Sequence, residues 1–178
     1  MRTDVVFTLT GPDRVGLVEE VTGSMLGLGA NVGGSRMARL GGAFAILMQV
    51  SLPVEALVDL DAAFAPLTAA GYAITTSADT AQASGEVPGH VGTSYRIEVS
   101  GADHEGIVHD IAAGLAAAGI NIESMETRIV AAPISGAPLF EMTALVSVPT
   151  DVDGTGWIAT LTEAAARANV DVEVSPGA

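Results

Sequence analysis

The sequence contains no cysteine and no lysine, and only seven of its 178 residues are aromatic. Without cysteine the chain can form no disulfide, no thiolate nucleophile and no cysteine-ligated zinc site. With so few aromatic residues, the core must consist of Ala, Val, Leu and Ile, which supply most of the 49% apolar content. We therefore expect a packed globular protein with an aliphatic core rather than a disordered chain.

Positive charge is also scarce, because seven Arg face 21 Asp and Glu and leave a net charge of −14. A surface that binds nucleic-acid phosphates or anionic lipids needs a basic stripe, and so acidic a field repels both. No stretch approaches the roughly 18 apolar residues of a membrane span, and the opening MRTDVVFTLT lacks the apolar centre of a signal peptide. We expect a cytoplasmic protein that contacts neither nucleic acid nor membrane.

The chain carries an internal repeat. The stretch GPDRVGLV at residues 11–18 returns as GADHEGIV at residues 101–108. Three matched pairs are each 90 positions apart: Asp13 and Asp103, Gly16 and Gly106, Asn31 and Asn121. A self-similar pattern of this length predicts two structural units of one fold.

Each copy has the same order of predicted elements. An alternating strand ends at a glycine, and an asparagine opens the next strand. Between them lies a predicted helix whose apolar stripe includes Val18 in the first copy and Val108 in the second. A hairpin then leads to a strand ending in proline, a second helix and a short last strand. In chain order, the predicted segments are 4–11, 15–30, 31–40, 43–53, 54–70 and 72–76, then 94–101, 105–120, 121–130, 139–149, 155–168 and 170–174. Each half is thus predicted to be β-α-β-β-α-β, an α+β ferredoxin-like fold whose antiparallel four-stranded sheet has two helices on one face.

The segment between the halves, SADTAQASGEVPGHVG, is small, polar and rich in Gly and Pro. This composition predicts a linker at residues 79–92 between domains at 1–78 and 93–178. Domains of about 80 residues are marginally stable alone. We therefore expect the two to pack together or to dimerise.

Motifs for phosphate binding, metal binding and catalysis are missing. The loop has the outer glycines of a phosphate loop, but Leu17-Val18 and Ile107-Val108 stand where Lys and Ser/Thr are required. The cluster around His104 and His109 lacks metal-ligand spacing, because residues five apart lie on different faces of a helix. No nucleophile motif or pair of carboxylates in an apolar setting appears. We expect no catalysis, no cofactor and no metal.

The repeated loop also suits a purely structural role. Asp13 and Asp103 precede the apolar helix pattern, where an N-cap belongs. Gly16 and Gly106 are expected one turn inside the helix, where a missing Cβ matters only if something approaches closely. Asparagines after the helix, such as Asn31, also suit a left-handed helix exit. Capping alone and ligand binding both stay open at this point.

These residues resemble an ACT domain: a β-α-β-β-α-β unit with G-x-D-x-x-G-[LI]-V before its first helix and an Asn-Val or Asn-Ile pair 15 residues after the last motif glycine. ACT domains are small-molecule regulatory modules, most often sensors of amino acids. A stand-alone pair is similar to the glycine cleavage system transcriptional repressor family, whose members respond to glycine and act through a DNA-binding partner. The resemblance implies a dimeric sensor of glycine or another small amino acid that regulates a protein partner. The alternative is a scaffold dimer without ligand.

The resemblance also implies which residues bind. It places the ligand at an interface between two domains, held by the loop and by the asparagine that opens the second strand. The residues so implied are Asp13, Arg14, Val15, Gly16 and Asn31 in the first copy, and Asp103, His104, Glu105, Gly106 and Asn121 in the second. Asp and Asn suit the ammonium group of an amino acid, and helix-start N–H groups or Arg14 suit its carboxylate. Because His104 and Glu105 replace Arg14 and Val15, the first loop is the stronger candidate.

Overall fold

Two structural units follow one another along the chain. The computed structural model describes residues 1–78, 92–132, 136–152 and 155–177. The chain divides into Met1–Gly85 and Glu86–Ala178, and each unit has its own hydrophobic core. Except for Gly92, the predicted linker lies outside the described residues. The domain limits 1–78 and 93–178 therefore stay a prediction.

The first unit has the predicted order of elements. Its elements are β1 (Arg2–Pro12), α1 (Leu17–Gly27), β2 (Asn31–Leu40), β3 (Ala43–Pro53), a 3₁₀ helix (Val54–Asp59), α2 (Leu60–Ala69) and β4 (Ala73–Ala78). The sheet order is β2-β3-β1-β4, with every neighbouring pair antiparallel.

The second unit repeats this arrangement. Its elements are β5 (Gly92–Ala102), α3 (Ile107–Ala117), β6 (Asn121–Ala131), β7 (Pro138–Pro149), α4 (Gly156–Arg167) and β8 (Val170–Pro176). The sheet order is β6-β7-β5-β8, again antiparallel throughout. The α+β, ferredoxin-like prediction is confirmed for both units.

Side chains alternate between the two faces of each strand, and one face of each sheet packs against the helices. In β1, Phe7 and Leu9 are fully buried, and the Phe7 ring lies 4.9 Å from the ring of Phe64 on α2. In the second unit, Ile97 on β5 and Trp157 on α4 are buried in the equivalent layer. Strand side chains two residues apart and helix side chains about 3.6 residues apart thus lie on facing surfaces, and they pack into one aliphatic core in each unit.

Two details of the predicted elements are wrong. The segment 54–70 begins as a 3₁₀ helix and becomes α-helical only at Leu60. Apolar spacing does not separate these two helix types over a few residues. The Val54 N–H donates to the carbonyl of Met1, the residue before β1, at 3.1 Å and so anchors the start of the segment.

Val18 and Val108, predicted within the apolar stripe, are 38% and 39% exposed. Short helices bury only a narrow stripe, and these valines lie at its margin.

Candidate functional site

The two repeated loops occupy equivalent places in the two units. Each joins the first strand to the first helix, at the sheet end where the central hairpin turns. The Asp13 N–H donates to the Gly42 carbonyl at 3.0 Å, and the Asp103 N–H donates to the Pro138 carbonyl at 3.1 Å. Each loop is therefore anchored to the hairpin of its own unit.

The loop glycines do not lie inside the helices, and the loop aspartates are not caps. Gly16 and Gly106 are themselves the N-cap residues, with φ of 86° and 97°. No protein atom lies within 4 Å of a Cβ placed at either position, so close packing by the rest of the described chain is not the reason for glycine. The left-handed backbone is the reason, because side-chain-bearing residues rarely adopt it. The predicted capping by Asp13 and Asp103 is wrong, since neither helix has a side-chain cap hydrogen bond.

Uncapped helix starts leave backbone donors beside each loop. The first α-helical bond of α1 runs from the Glu20 N–H to the Gly16 carbonyl, and that of α3 runs from Asp110 to Gly106, both at 3.0 Å. The N–H groups earlier in the first turn have no acceptor within the helix. Such groups, together with the positive end of the helix dipole, suit a carboxylate or another small anion.

Arg14 connects the first loop to Tyr72, which lies between α2 and β4. Its guanidinium pairs with Glu20 and lies over the Tyr72 ring, 5.8 Å from the centroid. The Tyr72 hydroxyl in turn donates to the Pro12 carbonyl at 2.8 Å. Hydrogen bonding to Glu20 and then to Tyr72 raises the pKa of Arg14. A ligand carboxylate would have to compete with Glu20 for this cation.

His104 makes the corresponding connection in the second loop. Its Nδ1 lies 3.0 Å from the Glu105 carbonyl, and its Nε2 lies 2.7 Å from the Ala168 carbonyl at the end of α4. Carbonyl oxygens only accept, and a neutral imidazole has one N–H, so both contacts together require the imidazolium form. These two carbonyls, first Glu105 and then Ala168, raise the pKa of His104.

The loop aspartates differ in their partners. Arg39 on β2 places its Nε 3.4 Å from an Asp13 carboxylate oxygen, and both side chains are partly exposed. The residue 90 positions after Arg39 is Ile129, which offers no charge to Asp103. Beside Asp103 lies a groove of about 520 Å³.

The asparagines lie at the opposite end of each sheet from the loops. Asn31 pairs with Ser51 on β3, whereas Pro12, next to the loop, pairs with Ala43. Eight residues of strand between Ala43 and Ser51 span about 26 Å. The second unit has the same offset, with Asn121 opposite Ser147 and Ala102 opposite Leu139. Within one unit, the loop and the asparagine therefore cannot touch the same small molecule.

Asn31 and Asn121 are also not left-handed helix exits. The left-handed residues after the first helices are Gly29, with φ of 66°, and Gly119, with φ of 72°. Both asparagines are the exposed first residues of strands β2 and β6. The alternative structural explanation for them is thus wrong.

Within the described part of the chain, no group of three His, Asp or Glu side chains is arranged to hold a metal ion. No helix among those residues is long and apolar enough to cross a membrane.

Comparison with known proteins agrees with the fold and the repeat. The family model of the ACT domain matches residues 3–70. An unknown protein from Galdieria sulphuraria is 30% identical, with all of both chains covered and a TM-score of 0.81. A protein described provisionally as a glycine cleavage system transcriptional repressor has a TM-score of 0.69 at 17% identity, covering 98% of this chain and 97% of its own. Among curated proteins, none matches the chain significantly.

These findings converge on one family. The family model covers the first unit from β1 into α2, and the second unit repeats the same strand order and the same left-handed glycine before its first helix. The chain belongs to the ACT-domain family of regulatory domains, with two such domains in tandem.

Proposed function

We propose that this protein senses glycine or another small amino acid and regulates a protein partner. One observation carries the proposal: both domains hold the loop in the same conformation, with a left-handed glycine ahead of an uncapped helix start. The first-turn N–H groups suit the carboxylate of a free amino acid. The carboxylate of Asp13 or Asp103, in the same loop, suits its ammonium group.

The position of the asparagines supports assembly of the chain. A ligand held by both a loop and an asparagine takes the loop from one ACT domain and the asparagine from another, because within one domain they lie at opposite ends of the sheet. A second copy of the chain can supply the missing group. This supports a homodimer in which Asp13, Arg14, Val15 and Gly16 meet an asparagine equivalent to Asn31 or Asn121 of the partner copy.

The output proposed is control of another protein rather than catalysis. The similar fold of a protein described as a glycine cleavage system transcriptional repressor supports a role in transcriptional control of amino-acid metabolism in the cytoplasm. The net charge of −14 favours action through a protein partner instead of direct contact with DNA. The ligand shifts the regulatory equilibrium only by its differential affinity for the two states.

A scaffold without ligand is the second candidate, and a specific observation favours it. Arg14 already pairs with Glu20, and Asp13 already lies beside Arg39. The first loop is therefore electrostatically satisfied without any ligand. Under this alternative the loop only connects a strand to a helix, and its polar residues contribute modestly to stability.

Calorimetric titration of the whole chain with the twenty amino acids separates these candidates. We expect heat with glycine or another small amino acid, and affinity about tenfold to a hundredfold lower in Asp13→Ala, because a hydrogen bond to a charged group is lost. Melting of this variant should change little, since the exposed Asp13–Arg39 pair contributes about 0–1 kcal/mol. Absence of heat and of thermal shift with every amino acid contradicts the sensor and supports the scaffold. Turnover of any amino acid contradicts the expectation of no catalysis.

A further inference from the structure

The two domains differ in charge at a strand position that faces the repeated loop. Arg39 on β2 and Ile129 on β6 are 90 residues apart, the same spacing that separates the two loops. Each pairs across its hairpin with a phenylalanine, Arg39 with Phe44 and Ile129 with Phe140. Sequence offset and strand register therefore place a cation in one domain where the other has an apolar side chain.

This exchange changes the surroundings of the loop carboxylate. In the first domain, Arg39 spans from β2 to the loop, and its Nε lies 3.4 Å from Asp13. Ile129 can form no such bridge, and within the described residues no salt bridge or side-chain hydrogen bond is formed by Asp103. The half-buried Asp103 carboxylate thus has no counter-ion from the opposite strand, and the positive charge that faces it is that of His104 in its own loop.

A groove lies where the bridge is missing. Its volume is about 520 Å³, within the range of small-molecule sites. Its apolar wall consists of Val108, 39% exposed, Ile129, 63% exposed, and the buried ring of Phe140. Its polar lining consists of the start of α3 at Gly106 and the side chains of Asp103, His104, His109, Thr127 and Arg128, the last of which is paired with Glu141. The groove thus combines a carboxylate, a guanidinium group and helix-start donors with an apolar wall.

We propose that this groove binds a free amino acid with a hydrophobic side chain, so that the second domain takes a different ligand class from the first. The proposal rests on the amino-acid sensing proposed above and names the ligand class of the second loop. Asp103 holds the ammonium group, the first-turn N–H groups of α3 hold the carboxylate, and the side chain packs on Val108, Ile129 and Phe140. Glycine would leave that wall in water, and an acidic side chain would be repelled by Asp103.

Exchanging the differing residue between the domains tests this assignment. The whole chain is titrated with leucine, phenylalanine and glycine, and with 3-methylbutylamine and 4-methylpentanoate, which lack the carboxylate and the ammonium group of leucine. We expect leucine or phenylalanine to bind about tenfold to a hundredfold more tightly than glycine at the second loop, from burial of the side chain. Both truncated compounds should bind at least about tenfold more weakly than leucine.

Substitutions at Ile129, Arg39 and Asp103 test whether leucine binds in this groove. Ile129→Arg should reduce leucine affinity at least about tenfold, because the new guanidinium spans the groove to Asp103 as Arg39 spans to Asp13. Ile129→Val keeps the apolar wall and should bind leucine nearly as the unmodified chain does. The reciprocal Arg39→Ile should give the first domain a new site for leucine. Asp103→Asn, which keeps the shape of the loop, should weaken leucine binding even if Ile129→Arg proves too unstable to assay.

The outcomes distinguish this proposal from the one on which it rests. Binding of glycine without any binding of leucine or phenylalanine overturns the groove and leaves amino-acid sensing standing. Leucine binding that neither Ile129→Arg nor Asp103→Asn changes overturns the location. Failure of every amino acid to bind overturns both. Folding of the second-domain variants is checked by the fluorescence of Trp157, the only tryptophan of the chain, which is buried in that domain, and folding of Arg39→Ile is checked by far-UV circular dichroism.

Discussion

The two ACT domains share a backbone and differ in the side chains placed on it. Gly16 and Gly106 have nearly the same left-handed conformation, and each precedes an eleven-residue helix. The connections made by the loops differ, because Arg14 pairs with Glu20 and stacks on Tyr72 whereas His104 bonds to two backbone carbonyls. The repeat thus keeps the glycine that the left-handed backbone requires, whereas the side chain that follows the loop aspartate differs between the two domains.

Helix packing also distinguishes the domains. A Cβ added to the buried Gly114 of α3 would lie 2.8 Å from the Cβ of Ala164 on α4. The residue 90 positions earlier on α1 is Ser24, which is half-buried. Glycine at position 114 therefore permits a close approach of α3 and α4 in the second domain, whereas the first domain has a serine at the matched position.

Exchanging these two residues should give the largest effect on stability. Gly114→Ser introduces atoms where α3 meets α4, so we expect the second domain to lose about 1–3 kcal/mol of unfolding free energy through overpacking. Ser24→Gly only lowers the helix propensity of α1 and should reduce the unfolding free energy of the first domain by about 0.5 kcal/mol. Denaturant unfolding followed by Trp157 fluorescence measures the second domain, and far-UV circular dichroism measures both. Equal losses in the two variants would contradict the packing difference.

Replacing either loop glycine by alanine should lower stability by a smaller amount, which we expect to be equal in the two domains. Gly16→Ala and Gly106→Ala place a methyl group on left-handed backbone, which should cost each domain about 1–2 kcal/mol. Thermal and denaturant unfolding of the ligand-free protein measure this cost. If the glycines serve only the close approach of a ligand, both variants will instead be as stable as the unmodified chain and will differ from it only in binding.

Gly23 provides the matched control for these variants. It lies within α1, has no atom within 4 Å of an added Cβ and does not have positive φ. Gly23→Ala should therefore stabilise the first domain by about 0.5–1 kcal/mol, opposite in sign to Gly16→Ala. A common sign for the two substitutions would show that backbone handedness does not decide the outcome.

The smallest expected effect is a dependence of stability on pH confined to the second domain. Contacts with the Glu105 and Ala168 carbonyls raise the folded-state pKa of His104 above its ordinary 6.5. The folded domain therefore holds this proton more tightly than the unfolded chain does. The stabilisation should be complete below the ordinary pKa and should disappear as pH rises through the folded-state pKa. Melting temperatures followed by Trp157 fluorescence from about pH 5.5 to about pH 8.5 measure this change.

Replacing His104 by arginine, the residue at the matched position of the first loop, is the control for the pH effect. His104→Arg removes titration in this range, because a guanidinium stays protonated, and should flatten the profile of the second domain. The carboxylates of Asp103 and Asp110 face His104 and favour its charged form, whereas the facing group from the end of α4 is the uncharged Ala168 carbonyl. An unchanged profile in His104→Arg would assign the pH dependence to another group.

Much of the fold was predictable because strand and helix periods are local properties of the sequence. β2 and β3 begin and end where predicted, at Asn31–Leu40 and Ala43–Pro53, and the second copy differs only by a residue or two. The 3₁₀ start of the segment after β3 was not predictable, since apolar spacing is similar in both helix types over six residues. Nor could apolar spacing distinguish Val108 at the edge of a groove from a core valine, because the helix stripe has no sharp margin.

The candidate site was predictable in composition but not in geometry. The matched motif identified the two loops and the difference at Arg14 and His104. The same motif misplaced Asp13 as a helix cap, because the handedness of Gly16 moves the helix start by three residues. The groove beside Asp103 depends on Ile129 of another strand, and no local pattern connects residues that meet only through strand register.

The sequence by itself determined the duplication, the order of elements and the aliphatic core, because these follow from residue periodicity and composition along the chain. Only the tertiary structure decided that the loop glycines are left-handed, that the asparagines lie a sheet length away from the loops, and that one loop carboxylate has an arginine beside it while the other borders an open groove. The physical reason is that such relations depend on backbone handedness and on contacts between strands distant in sequence. The repeat preserves the signals for the fold, while exchanges such as Arg39 for Ile129 give the two loops different surroundings.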